Sequence, residues 1–307
     1  MFSFAKSHAV VVLVLTLSLS ELTHAAISEI VAFGDSFSDS GNLFAAVGNP
    51  RPPYYDGNFS NGPVWVEGLA EILRVSAPTP SLEGGTNYAW AGARTTKLEA
   101  GFIPSAQSQV ASYLTDVGGV ADPDALYTLF TGGNDILDWV DGKSTLPELL
   151  ADGAAVASIA NDLLLAGAQN ILVLNIDDVG AAPGIEGIEA MATEGTILFN
   201  DALFAGLVDL DSMNISFLDT FTLSQQIAAD PGAYGLTNAD GDCLLATGGL
   251  GGPLCDTWLF WDGAHPTAAG HELFAVAAAA TVVPVPAAVW LFGSALMVLA
   301  AMKRKKA

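Results

Sequence analysis

Ile30-Val31-Ala32-Phe33-Gly34-Asp35-Ser36-Phe37-Ser38-Asp39-Ser40-Gly41-Asn42 is the stretch that decides the fold. Four consecutive apolar residues read as a strand buried on both faces, since a half-exposed strand would alternate. Gly34-Asp35-Ser36 then stops the strand abruptly and presents a hydroxyl at its carboxyl end. In open α/β sheets that end is where ligands bind. A serine there is more often a turn former or a helix cap than a nucleophile, so its meaning rests on the rest of the chain.

The same pattern recurs downstream. Leu126-Tyr127-Thr128-Leu129-Phe130 runs into Thr131-Gly132-Gly133-Asn134-Asp135, Ile171-Leu172-Val173-Leu174 reads as a further buried strand, and Ile215-Ser216-Phe217-Leu218 reads as the last strand. Between them Pro63 opens a helix in which Trp65, Leu69 and Ile72 share a face. Further helices are predicted over residues 106–114, 145–166, 194–210 and 267–280. Alternating strands and helices predict an α/β fold, a three-layer α/β/α sandwich around a central, mostly parallel sheet. Asp177-Asp178-Val179-Gly180 ends a strand on the ligand-binding side and reads as a turn. There is no internal repeat and no long low-complexity linker.

A nucleophilic serine needs a base, and the base needs a carboxylate to fix its tautomer. The chain has four histidines, and His8 and His24 fall in a segment expected to be removed. That leaves His265 and His271. His265 lies in Trp261-Asp262-Gly263-Ala264-His265-Pro266-Thr267, with an aspartate three residues before it, whereas His271 has Ala268 at that offset. Asp262 and His265 can therefore act within one tight loop, ahead of a helix that Pro266 and Thr267 would start. Taken alone, the segment reads as a surface turn. Acyl transfer also needs donors for a developing oxyanion. Asn134 offers a side-chain amide after one strand. Gly92, in Asn87-Tyr88-Ala89-Trp90-Ala91-Gly92-Ala93, offers a bare backbone N–H that a ligand can approach closely.

These four stretches, in this order, resemble the SGNH or GDSL hydrolases. The blocks of that family carry Ser, Gly, Asn and His, which here fall on Ser36, Gly92, Asn134 and His265. Phe59-Ser60-Asn61-Gly62-Pro63-Val64-Trp65-Val66-Glu67 resembles the branch of lecithinase- and haemolysin-like lipases. The resemblance spans residues 30–280. It implies that Ser36 attacks an ester carbonyl, with His265 as base oriented by Asp262. It also implies that the Ser36 N–H, the Gly92 N–H and the Asn134 side chain hold the oxyanion. Phe37 departs from the leucine of the family's namesake block at a packing position. The glycine-flanked elbow of other α/β hydrolases is missing, because Ser38 stands where its final glycine belongs.

Both ends read as addresses. Lys6, the apolar run 9–19 and Thr23-His24-Ala25-Ala26 make residues 1–25 a signal peptide, with an uncleaved anchor as the alternative. Residues 26–282 form the hydrolase domain. In residues 283–307, Val283-Pro284-Val285-Pro286 precedes a short apolar span and Lys303-Arg304-Lys305-Lys306. That tail resembles the PEP-CTERM sorting signal, although Val285 replaces the glutamate of its namesake motif. The resemblance implies transient inner-membrane insertion through a short transmembrane helix, an exosortase-like processing enzyme, and a final place at the cell surface or outside. A plain C-terminal anchor is the alternative.

Composition agrees with export. Residues 26–286 carry Arg51, Arg74, Arg94, Lys97 and Lys143 against thirty-two acids, a net charge of −27. Such a surface excludes nucleic acid and anionic membranes as partners. Cys243 and Cys255, twelve apart, are expected to form one disulfide worth roughly 3 kcal/mol, with free thiols as the alternative. Asn238-Ala239-Asp240-Gly241-Asp242 opens like a calcium loop, but Cys243 and Gly249 occupy positions where that loop needs glycine and glutamate. No metal and no cofactor are expected.

The expected function is that of an exported serine esterase or lipase acting on lipid or acylated carbohydrate through an acyl-enzyme. A carbohydrate acetyl esterase and a non-catalytic surface or matrix binding protein are the alternatives.

Overall fold

β1 (Ile30–Gly34) is buried along its whole length and lies inside a parallel sheet, as its unbroken apolar run requires. The computed structural model describes residues 27–210 and 213–283. The expected signal peptide and the apolar and basic parts of the tail lie outside them. Among the described residues no helix is long and apolar enough to cross a membrane.

After β1 come α1 (Asn42–Val47), α2 (Trp65–Leu73), α3 (Ala106–Asp116), β2 (Leu126–Phe130), α4 (Gly133–Val140) and α5 (Leu146–Leu165). β3 (Asn170–Leu174), α6 (Glu189–Val208), β4 (Ile215–Leu218) and α7 (Thr220–Ala229) follow. β5 (Asn238–Asp242), α8 (Cys243–Ala246), β6 (Trp258–Phe260) and α9 (Ala268–Val282) complete the described chain. β1 to β4 are parallel and lie in sequence order, with Ile30 opposite Leu126, Leu126 opposite Asn170 and Ile171 opposite Ile215. α2 and α9 pack together on one face, and α3, α5 and α6 cover the other. This is the three-layer α/β/α sandwich expected.

The outer edge of β1 is occupied as well. Ala32 N–H donates to Thr86 O at 3.0 Å, and Tyr88 N–H and Trp90 N–H donate to Ala32 O and Gly34 O at 2.7 and 3.1 Å. From β1 the chain thus passes to one side, along residues 86–90, and then to the other, at β2. β1 is the switch point of the sheet, where a crevice opens at the carboxyl ends of the strands.

Three expectations need correction. Ile72 is 44% exposed, so only Trp65 and Leu69 of the predicted face enter the core. α6 begins at Glu189 rather than 194, because the Glu189 carboxylate accepts the Gly187 N–H and starts the helix a turn earlier. Ile215–Leu218 is not the last strand, because β5 and β6 follow it as a small separate parallel pair, and the polar residues of β5 carry no strand pattern. Asn238 Oδ1 accepts the Asp240 and Gly241 N–H groups there, which folds the calcium-like segment on itself.

Candidate active site

Gly34 ends β1 with φ +149°, and a Cβ there would lie 2.1 Å from Phe130 O on β2. Only glycine lets the strand turn out of the sheet at this point. Gln109 on α3 holds the turn: its Oε1 accepts the Gly34 N–H at 2.8 Å and its Nε2 donates to Gly34 O at 2.9 Å. Two residues later Ser36 stands at the switch point.

The Ser36 hydroxyl lies 2.9 Å from His265 Nε2. His265 Nδ1 lies 2.9 and 3.0 Å from the two carboxylate oxygens of Asp262. With the Nδ1 proton directed at Asp262, Nε2 is left to accept from Ser36. Asp262 Oδ1 also accepts the backbone N–H groups of Ala264 and His265 at 2.9 and 2.8 Å, and Oδ2 accepts the Tyr54 hydroxyl at 2.8 Å. Burial pushes the Asp262 carboxyl up. The His265 ring, by hydrogen bond and charge, and the two N–H groups outweigh it and hold the carboxyl down at about 2. Asp262 is therefore an anion at any working pH.

Each end of this line is clamped from afar. Thr267 Oγ1 donates to Trp258 O at 2.6 Å, and Trp261 N–H donates to His265 O at 2.8 Å, which closes the loop after β6. Ser60 Oγ donates to Pro266 O at 2.9 Å, and Asn61 Oδ1 accepts the Ala268 N–H at 2.7 Å. The Phe59 ring lies 5.0 Å from that of His265. The Phe59-Ser60-Asn61-Gly62 segment thus fastens the histidine loop to the rest of the sandwich.

Asp39, buried, binds the serine turn to the glycine loop. Its carboxylate accepts the N–H groups of Gly41, Asn42 and Leu43 on its own side and that of Ala91 at 2.8 Å on the other. Neither the Ser36 nor the Gly92 N–H donates to another group among the described residues. Asn134 sits one residue into α4, not in the strand end itself, and its Nδ2 donates to Ala93 O at 3.0 Å. Arg94 fastens the glycine loop to the same helix. Its Nη1 donates to Gly92 O at 2.7 Å while Nε and Nη2 bind both oxygens of Asp138 at 2.9 Å.

A cavity of about 140 Å³ opens beside Ser36 and His265. Apolar side chains of Phe37, Phe130, Leu137, Ile176 and Ile185 line it, with Asn134 at its wall. Asp35 and Asp177 border it too. Burial pushes Asp35 up to about 6 against the hydrogen bond from the Phe37 N–H and the charge of His265. Burial and the charges of Asp35 and Asp178 push Asp177 up to about 7. His271 takes no part. It is buried in the layer behind Phe37, and burial, with the charge of His265, pushes it down to about 3, so it stays neutral.

Cys243 and Cys255 are joined by a disulfide. Among the described residues no group of three or more His, Cys, Asp or Glu side chains is arranged to hold a metal ion. Sequence reasoning missed Tyr54, Gln109 and Arg94. Arg94 alone carried a signal, as one of five basic residues in an acidic body.

Ser36, His265 and Asp262 thus stand in one hydrogen-bonded line beyond the carboxyl end of β1. Residues 30–278 match the family described as GDSL-like Lipase/Acylhydrolase, and the chain belongs to that family. It is similar to a phosphatidylcholine-sterol acyltransferase of Aeromonas hydrophila, at 28% identity over 225 residues, which are 71% of this chain and 66% of that protein. It is also similar to a thermolabile hemolysin of Vibrio parahaemolyticus, at 29% identity over 278 residues, covering 81% of this chain and 62% of that protein. The chain spans less than two thirds of the length of either. Among solved structures it is similar to Axe2, an acetylxylan esterase from Geobacillus stearothermophilus. The identity there is 16% and the TM-score 0.45, over 82% of this chain and 94% of that one.

Proposed function

We propose that the protein is an exported serine ester hydrolase that cleaves carboxylic esters through an acyl-enzyme. The observation that carries this reading is the line from Ser36 Oγ to His265 Nε2 at 2.9 Å and from His265 Nδ1 to Asp262 at 2.9 Å. Ser36 Oγ attacks the ester carbonyl carbon as its proton passes to Nε2. The carbonyl oxygen takes up the negative charge and is met by the Ser36 N–H, the Gly92 N–H and the Asn134 amide. The imidazolium, held by the Asp262 anion, gives its proton to the leaving alcohol as the C–O bond breaks. Water then attacks the acyl-serine by the same route, with His265 again as base. The carboxylic acid leaves and the Ser36 proton is restored.

Lipid acyl esters are the substrate class we favour. The apolar lining of the cavity suits the first carbons of an acyl chain, and the acyltransferase and the hemolysin named above are consistent with it. A carbohydrate acetyl ester is the second reading, favoured by the cavity's modest volume of about 140 Å³. For the ends of the chain we propose a cleaved N-terminal signal and a PEP-CTERM-like tail handled by an exosortase-like enzyme after brief insertion in the inner membrane. The motive is the apolar and then basic pattern of residues 283–307.

Ser36→Ala tests the catalytic reading. It should abolish turnover of every ester in a panel of acyl esters and acetylated polysaccharides while leaving circular dichroism and melting unchanged. Turnover above about a hundredth of wild type would sink the assignment of Ser36 as nucleophile. A wild type inert on the whole panel would favour a non-catalytic binding role.

A further inference from the structure

Between the two cysteines the chain reads Leu244-Leu245-Ala246-Thr247-Gly248-Gly249-Leu250-Gly251-Gly252-Pro253-Leu254, with no charged residue in an otherwise strongly acidic body. Leu245 is 78% exposed, Leu250 81% and Leu254 49%. Three leucines held out in water within eleven residues, on a segment closed by one disulfide, concentrate exposed apolar surface in one place.

The loop is built to hold them out. The disulfide closes its base. The only side chain in it with hydrogen-bonding capacity, Thr247, is spent internally: its Oγ1 donates to Cys243 O at 2.7 Å and accepts the Gly251 N–H at 2.9 Å. Gly251 packs against the outer atoms of the Trp261 ring, where a Cβ would come within 2.4 Å of Cη2. Leu244 N–H donates to Trp261 O at 2.8 Å. Trp261 precedes Asp262, so the exposed leucines stand on a platform continuous with the catalytic loop.

Charge selects the occupant. Asp240, Asp242 and Asp256 flank the loop, and no lysine or arginine occurs from residue 144 to residue 283. An anionic surface would be repelled. A protein partner is met through about one hydrogen bond per 100–200 Å² of contact, and no outward side chain of residues 244–254 offers one. A fluid apolar phase under uncharged or zwitterionic headgroups needs neither cation nor directional match. We propose that the disulfide loop 243–255 seats the protein on a neutral or zwitterionic lipid surface beside the catalytic cleft. This rests on the reading of the protein as an ester hydrolase of lipids.

The test uses Ser36→Ala protein of residues 26–283, the mature body without the apolar ends that would themselves enter a bilayer, with phosphatidylcholine vesicles, read by hydrogen exchange and by vesicle flotation. Amides of residues 244–254 should gain protection on phosphatidylcholine and none on phosphatidylglycerol vesicles. Adding Leu245→Ser, Leu250→Ser and Leu254→Ser should remove that protection and lower partitioning at least about tenfold, the worth of one leucine leaving water. In the Ser36 background, the triple variant should hydrolyse a soluble short-chain ester as fast as wild type. Unprotected loop amides, with partitioning unchanged by the triple variant, would overturn the proposal in favour of binding through other residues. Protection that rises with protein concentration alone would overturn it in favour of self-association. Loop protection in a chain whose wild type hydrolyses no ester would leave the surface standing and refute the catalytic reading.

Discussion

The side-chain amide of Gln109 bonds both the N–H and the carbonyl of Gly34, 75 residues earlier in the chain. Its Oε1 is the acceptor of the Gly34 N–H, at the last residue before the Asp35-Ser36 turn, while Trp90 N–H shares the Gly34 carbonyl with its Nε2. The position of the serine thus depends on an amide on a different layer of the sandwich.

Gln109→Leu should therefore destabilise the fold by about 2 kcal/mol, because it leaves the Gly34 N–H buried without a partner. kcat should fall as well, since the serine turn loses its brace. Urea denaturation and steady-state kinetics on one preparation check both. Unchanged stability would mean that water or another donor replaces the amide.

Tyr54→Phe removes one hydrogen bond from Asp262 Oδ2 and leaves the contacts of Asp262 with His265 and Ala264 in place. Hydrogen bonds to charged groups are worth about 1.5–3 kcal/mol, so kcat should drop about tenfold with little change in KM. Tyr54→Ala should cost more, because it also strips the ring packed edge-on against Trp261 and Phe59. A loss confined to KM would make Tyr54 a substrate contact instead.

Asn134→Ala should lower kcat by about 100-fold and leave KM within a factor of two. The donor matters most when negative charge forms on the oxygen, and Asn134 already holds its place through Ala93. Asn134→Asp should be worse than alanine, for it sets an anion against the developing charge.

Stability should fall as pH rises from about 4 to 7. Asp35 at about 6 and Asp177 at about 7, with Asp39, Glu67 and Asp135 also raised mainly by burial, hold protons in the folded state that the unfolded chain releases near 4. Their contribution is complete below the unfolded value and is lost as pH climbs through the folded one. Asp262 at about 2 acts oppositely: its contribution is present above about 4 and disappears as pH falls towards 2. The melting temperature should thus peak near pH 4–5, and calorimetry showing a higher value at pH 7.5 than at 4.5 would refute this balance.

What the sequence disclosed followed the range of the physics. β1, β2 and β3 were legible because strands buried on both faces are apolar nearly throughout, and β4, a half-buried edge strand, was legible from Ile215, Phe217 and Leu218. α5 was legible because Thr145 and Glu148 form a capping box within four residues. α7 was missed: its cap is the Asp219 side chain on the Thr222 N–H, but β-branched Thr220 and Thr222 hide the helix. β5 was missed because asparagine, aspartate and glycine have no strand preference, and pairing with β6 imposes the extended form. Ser36, Gly92, Asn134, Asp262 and His265 could be singled out because each lies in a local turn of recognisable chemistry. Tyr54 and Gln109 could not, since their partners lie 208 and 75 residues away.

The clamp of Ser60 and Asn61 on Pro266 and Ala268 joins residues 206 and 207 positions apart, and Ser36 meets His265 across 229. A chain growing from its amino terminus displays the serine turn early, yet has no base to arm it until the histidine loop emerges and docks. Whatever chemistry needs Ser36 and His265 together therefore waits until nearly the whole described sandwich has been made.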